Sequence, residues 1–183
     1  MILVLISVFL IISFLLVFYR YPFWLTQVIN INNNSVYSPA FGKIMAITNE
    51  PNGDVFIAIF LSPLDIHYQF SPIDGIISHL DYDANGKFEL SYNLNKSKDN
   101  EKSIYTIQSS RGTFKVFQIA GKLVRRITTF KKPHDSVKTG DTLGLIHFGS
   151  RVDIIIPNSS HSFNVHVHVG DTVTNQTVLG IFS

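Results

Sequence analysis

Val137-Lys138-Thr139-Gly140-Asp141-Thr142-Leu143-Gly144 and Val167-His168-Val169-Gly170-Asp171-Thr172-Val173 decide the fold reading. Each is a Gly-Asp turn running into an apolar residue, the punctuation that joins strands in a flattened barrel. A second repeat lies upstream. Ser38-Pro39-Ala40-Phe41-Gly42-Lys43-Ile44 recurs 33 residues later as Ser71-Pro72-Ile73-Asp74-Gly75-Ile76-Ile77, each a Pro-initiated turn with a glycine entering a strand. Between them run short stretches rich in Val, Ile, Phe and Thr: Val55-Leu61, Ile104-Ile107, Phe114-Ile119, Leu143-Phe148, Val152-Ile156 and Phe163-Val169. A mainly β domain is expected. Asn93-Glu101 is polar and reads as an exposed loop.

The chain has 183 residues, no cysteine, and 15 basic against 13 acidic residues, a formal charge of +2. Nucleic-acid binders concentrate basic charge on one face, so none is expected as a partner. Without cysteine there is no disulfide scaffold, thiolate zinc site or cysteine nucleophile. Residues 1–19 carry no charge. As a helix they would reach about 28 Å, near the hydrocarbon thickness, and predict an uncleaved transmembrane anchor. Tyr19, Tyr21, Phe23 and Trp24 suit an interface, and Arg20 favours a single-pass protein with its β domain on the cytoplasmic side. The expected organisation is an anchor at 1–19, a linker and interfacial segment at 20–37, and the β domain at 38–183.

The turn repeats resemble the barrel-sandwich hybrid of lipoyl and biotinyl domains, although no lysine stands at a hairpin tip as an attachment site requires. The expected fold is therefore a barrel-sandwich-hybrid-like β domain behind one N-terminal transmembrane helix.

The chemical signal is Phe148-Gly149-Ser150-Arg151-Val152-Asp153, a Gly-Ser pair between two apolar strands. It closely resembles the self-cleavage site of phosphatidylserine decarboxylase proenzymes, particularly their short, membrane-anchored form. The resemblance continues through Phe18-Tyr19-Arg20-Tyr21-Pro22, Ser38-Pro39-Ala40-Phe41-Gly42-Lys43, Phe60-Leu61-Ser62-Pro63-Leu64-Asp65-Ile66-His67, Pro72-Ile73-Asp74-Gly75, Gln118-Ile119-Ala120-Gly121 and Val178-Leu179-Gly180. It implies that the Ser150 hydroxyl attacks the Gly149 carbonyl and that an ester then eliminates. The products would be a large fragment, 1–149, and a small one, 150–183, capped by a pyruvoyl group derived from Ser150. That ketone would condense with the amine of phosphatidylserine and draw off the electrons released as carbon dioxide leaves. No metal is implied. The partners implied are phosphatidylserine in the membrane and the two fragments for each other, with room for a homodimer.

His67, in Ser-Pro-Leu-Asp-x-His, resembles the family's histidine that supports decarboxylation, and its ordinary pKa of about 6.5 suits proton transfer. Asp65, Asp74 and His147 are candidate supporting groups. Arg125 and Arg126 are candidates for a lipid phosphate. His166 and His168 share a strand face but lack a third ligand of suitable spacing. Two positions depart from the family pattern. Phe41 stands where relatives carry the aspartate of a self-processing triad, and Phe70 where they carry His or Arg. The alternative reading is a processing-deficient, membrane-tethered barrel of the same family.

Overall fold

The computed structural model describes residues 1–183 apart from 24–31, 33, 87–88, 91–92, 98, 122–125, 148–149 and 159–161. Helix α1 (Ile2–Phe18) is followed by strands β1 (Ser35–Tyr37), β2 (Gly42–Asn49), β3 (Val55–Leu61), β4 (Tyr68–Phe70) and β5 (Gly75–Asp83). After the short helix α2 (Leu94–Ser97) come β6 (Lys102–Ser109), β7 (Gly112–Ile119), β8 (Arg126–Thr129), β9 (Ser136–Val137) and β10 (Thr142–His147). The chain ends in β11 (Ser150–Ile156), β12 (Phe163–Val165), β13 (Thr172–Val173) and β14 (Val178–Phe182). An eight-stranded sheet, ordered β13-β2-β3-β11-β7-β6-β5-β9, curls as a half-barrel beside two three-stranded sheets, β4-β10-β8 and β1-β14-β12. The mainly β expectation holds.

The repeats fold alike. Ser38 Oγ donates to the Ala40 carbonyl at 2.7 Å and Ser71 Oγ to the Ile73 carbonyl at 2.8 Å. Asp141 Oδ2 accepts the Lys138 N–H at 3.1 Å, and Asp171 Oδ2 the His168 N–H at 2.8 Å. Gly140 and Gly170 close these turns at φ of 86° and 102°, where a side chain would be strained. Each Ser-Pro turn is bonded to one Gly-Asp turn: the Gly170 N–H donates to the Ile44 carbonyl and the Gly140 N–H to the Ser71 carbonyl, both at 2.9 Å. The Ser-Pro turns also exchange bonds with each other, Tyr37 N–H to Pro72 and Phe70 N–H to Pro39. This pseudo-twofold exchange brings Phe41 beside Phe70.

The core lies inside the curl and includes Ile57, Ile59, Leu61, Ile107, Phe114, Val116, Val152 and Ile154, all fully buried.

The transmembrane anchor is a correction. Among the described residues no helix is long and apolar enough to cross a membrane. Helix α1 is apolar but has only 17 residues, so it reaches about 25 Å against a hydrocarbon core of about 30 Å. Its last turn is committed to the β domain, where Phe18 is fully buried. Arg20 does not flank a span; its guanidinium donates to the carbonyls of Val17 at 2.5 Å and Leu64 at 2.6 Å. The single-pass localisation, with the β domain on the cytoplasmic side, falls with the anchor.

Candidate active site

Strand β3 pairs with β11 in the eight-stranded sheet, and β4 pairs with β10 in the sheet β4-β10-β8. Ser62-Pro63-Leu64-Asp65-Ile66-His67 joins β3 to β4. Residues 148–149, between β10 and β11, are outside the described residues, and with them the Gly149 half of the expected cleavage site. Register fixes the ends: Ser150 pairs with Leu61 at one end and Leu145 with Tyr68 at the other. The Ile146 N–H donates to the His67 carbonyl at 3.1 Å. His67 therefore lies on the connection that leaves Leu61, the register partner of Ser150, despite their separation in sequence. Strand alternation turns Ser150, Val152 and Ile154 towards the core and Arg151 and Asp153 to the opposite face.

Both side chains are fully buried, and among the described residues Ser150 Oγ and His67 Nε2 have no hydrogen-bond partner. Buried polar atoms are nearly always paired, so two such atoms call for a reason other than stability. His67 Nδ1 lies 2.9 Å from the Asp65 carbonyl oxygen. A carbonyl only accepts, so Nδ1 carries the proton and Nε2 presents a lone pair. Burial lowers the ring's pKa to about 4, against the opposing pull of Asp65 and with help from the charges of Arg20 and His147. At neutral pH the ring is an uncharged base.

What holds this loop was not visible in motif reading. The His67 carbonyl also accepts from Gln69 Nε2 at 2.5 Å, Gln69 Oε1 accepts from Gln118 Nε2 at 2.6 Å, and Gln118 Oε1 accepts from Ser103 Oγ at 2.6 Å. Gln69, Gln118 and Ser103 are fully buried. This relay ties the loop to β6 and β7. The available signal was a glutamine inside the apolar strand Phe114-Ile119.

Above His67 the end of α1 forms a cover. The Phe18 ring lies 4.1 Å from the imidazole, centroid to centroid. Tyr19 OH is hydrogen-bonded to His147 Nδ1 at 3.0 Å, and Thr128 Oγ1 to His147 Nε2 at 3.1 Å. His147 is thus engaged at both nitrogens, and burial, with the charge of Arg126, lowers its pKa. Arg126 faces His147 across the β8–β10 pair; Arg125 is outside the described residues.

The other predicted supporting groups are employed elsewhere. The Asp65 carboxylate accepts the Ser62 N–H at 2.7 Å and shapes the loop, so the Asp65 hydrogen bond to His67 comes from its carbonyl, and the carboxylate acts on the ring through its charge. The structure places Asp74 against Thr139, whose N–H and hydroxyl donate to Oδ1 at 2.7 and 2.8 Å, with Lys138 Nζ 3.3 Å from Oδ2. These donors hold its carboxyl below the usual range although burial opposes them. Phe41 and Phe70 join Ile66 in a small apolar cluster flanked by Tyr68. Among the described residues no group of three or more His, Cys, Asp or Glu could hold a metal ion.

On the far face of β11, Arg151 Nε and Nη2 donate to the two oxygens of Asp153 at 2.8 Å each. Arg151 Nη1 donates to Ser97 Oγ at 2.6 Å. Burial pushes the Asp153 carboxyl up to about 6 against the pull of that guanidinium.

The pattern that defines the family described as phosphatidylserine decarboxylase matches residues 14–180. A phosphatidylserine decarboxylase proenzyme of Chlorobaculum parvum is 36% identical over 180 residues, covering 95% of this chain and 81% of the relative. One from Amoebophilus asiaticus is 36% identical over 163 residues, covering 85% and 71% respectively, and one from Chlorobium phaeobacteroides is 32% identical over 173 residues, covering 91% and 78%. This chain belongs to the phosphatidylserine decarboxylase family.

Proposed function

We propose that this protein is a phosphatidylserine decarboxylase, a lyase that forms phosphatidylethanolamine and carbon dioxide after cutting itself between Gly149 and Ser150. Its relatives carry the proenzyme name, which does not favour the processing-deficient alternative. The observation that carries the reading is the fully buried Ser150 hydroxyl, without a partner among the described residues, at the head of an interior strand.

In self-cleavage the Ser150 Oγ attacks the Gly149 carbonyl carbon. The carbon–nitrogen bond breaks as the nitrogen takes a proton, leaving an ester. Loss of the Ser150 Cα proton then expels the Gly149 carboxylate, and water replaces the nitrogen as ammonia. The Ser150 hydroxyl fits this role, because no competing bond holds it among the described residues. The pyruvoyl group so formed supplies an electron sink for the decarboxylation. Around it, Phe18 and the apolar cluster exclude water, and neutral His67 accepts a proton on the Nε2 lone pair and returns it once taken. The fragments would be 1–149 and 150–183. The second stays bound because β11 pairs with β3 on one side and β7 on the other.

Intact mass spectrometry tests this. Two chains are expected from the purified protein, the smaller with a blocked, keto-capped N-terminus, and only full-length chain from Ser150→Ala. With phosphatidylserine in mixed micelles, the cut protein releases carbon dioxide. A wild type that stays whole under those conditions overturns the reading.

A further inference from the structure

We infer that Arg151 is a positioning residue for the reactive cap: its side-chain clamp holds the start of the small fragment in register once the chain is cut. The inference rests on the cleavage proposed above and extends it to what keeps the new chain end in place.

Among the described residues, ladder pairing holds Ser150 along one edge. It pairs with Leu61 of β3, while the pairing of β11 with β7 begins one residue later, between Arg151 and Ile119. The next residue of β7, Ala120, donates its N–H to the Glu101 carbonyl instead, at 2.9 Å. Before the cut, peptide bonds on both sides restrain Ser150. Afterwards residue 150 hangs from the Arg151 nitrogen alone, and chain ends that are not tied down lose order. Arg151, with partners on both edges, is the first residue of the new chain that the sheet fixes.

Its side chain adds a lock from a third direction. On the face away from the core, Nε and Nη2 hold both oxygens of Asp153, and Nη1 donates to Ser97 Oγ at 2.6 Å and to the Leu94 carbonyl at 3.4 Å. The segment that follows α2 is tied to the end of β7 by Asn100 Nδ2, which donates to the Ala120 carbonyl at 2.9 Å. A buried ion pair gains little over apolar side chains of similar bulk, and the register neighbours of this pair include Phe60, Phe117 and Ile119. What a guanidinium supplies and a methionine cannot is direction: paired hydrogen bonds fix its rotamer, and with it the strand residue it grows from.

The test compares full-length wild type with the double variant Arg151→Met, Asp153→Leu and with Ser97→Ala, each after self-cleavage and each uncut on a Ser150→Ala background. The double variant strands no charge, and Ser97→Ala removes one bond of the clamp. Hydrogen exchange, read by mass spectrometry on peptides from the start of β11, should run about tenfold faster in the cut double variant than in cut wild type, the scale of a lost hydrogen bond to a charged group. The uncut forms should exchange alike, because the intact peptide bond restrains the same residues. An aminooxy reagent, which condenses with ketones, should tag the cap of the cut double variant several-fold faster, and Ser97→Ala should move both readings the same way by less. Wild-type exchange and tagging in the cut variants, or equal loosening in the uncut forms, overturns the inference and leaves the proposed function standing. Where the double variant fails to fold or stays uncut, Ser97→Ala decides alone by the same two readings. A wild type that is never cut removes the proposed function, and this inference with it.

Discussion

The rings of Phe41 and Phe70 meet edge to face, with centroids 6.0 Å apart and planes at 64°. These are the two positions at which the family resemblance implies a carboxylate and a basic side chain. Their contact couples the two positions: a carboxylate alone at 41 would be buried against an aromatic ring, and a cation alone at 70 would be equally isolated. A buried site tolerates an apolar pair of similar bulk far better than half of a polar one.

Phe41→Asp in a Ser150→Ala background should therefore destabilise the fold by about 3 kcal/mol, the scale of an uncompensated buried charge. Adding Phe70→Arg should recover most of that loss. Urea denaturation of the two single variants and the double variant reads the coupling, and additive losses would refute the contact.

The pH dependence of His67 has a definite sign. Its pKa falls from 6.5 to about 4 on folding, so the unfolded chain binds the proton more readily and stability falls with falling pH. The contribution is complete above about 6.5 and is lost progressively down to about 4. Asp153 acts in the opposite sense: raised to about 6, it removes stability as pH climbs from about 4 to 6. The His67 part is isolated by subtracting His67→Asn from the parent in urea melts at pH 7, 5.5 and 4.5, both on Ser150→Ala. The difference should shrink towards acid.

Arg151→Met should cost about 3–5 kcal/mol, since it strands the Asp153 carboxylate in a buried site. Arg151→Met with Asp153→Leu should return much of it. Denaturant melts of uncut Ser150→Ala protein check both, keeping fragment separation out of the measurement.

Phe18→Ala should uncover the imidazole without touching its hydrogen bonds. Diethyl pyrocarbonate should then label His67 several-fold faster, read by peptide mass spectrometry. Unchanged labelling would mean that the ring is screened by something other than the end of α1.

Much of the β framework was legible because turn chemistry and strand periodicity are local. Val55-Leu61 coincides with β3, and the Gly-Asp turns fold as their spacing implied because each aspartate satisfies a backbone N–H within its own turn. Length and burial were less legible. The apolar N-terminal run looked like a span, yet Tyr19 ends the helix and Phe18 packs on His67, a contact decided by residues far along the chain. Asn93-Glu101 looked like a solvated loop because its residues are polar. Instead Ser97, Asn100 and Glu101 are buried, with Ser97 accepting from Arg151 and Asn100 donating to the carbonyls of Glu89 and Ala120. Ser150 and His67 were legible as motifs. Their lack of partners among the described residues, and the glutamine relay behind them, depend on which strands become neighbours.

A cut at the proposed place, the head of β11, a strand with neighbours along both edges, would be a chemical event with almost no mechanical consequence. A nicked molecule would diffuse, melt and age as one particle. Its shorter piece could not be exchanged for another copy without tearing open the widest sheet, so each reactive cap would remain for life with the scaffold that made it.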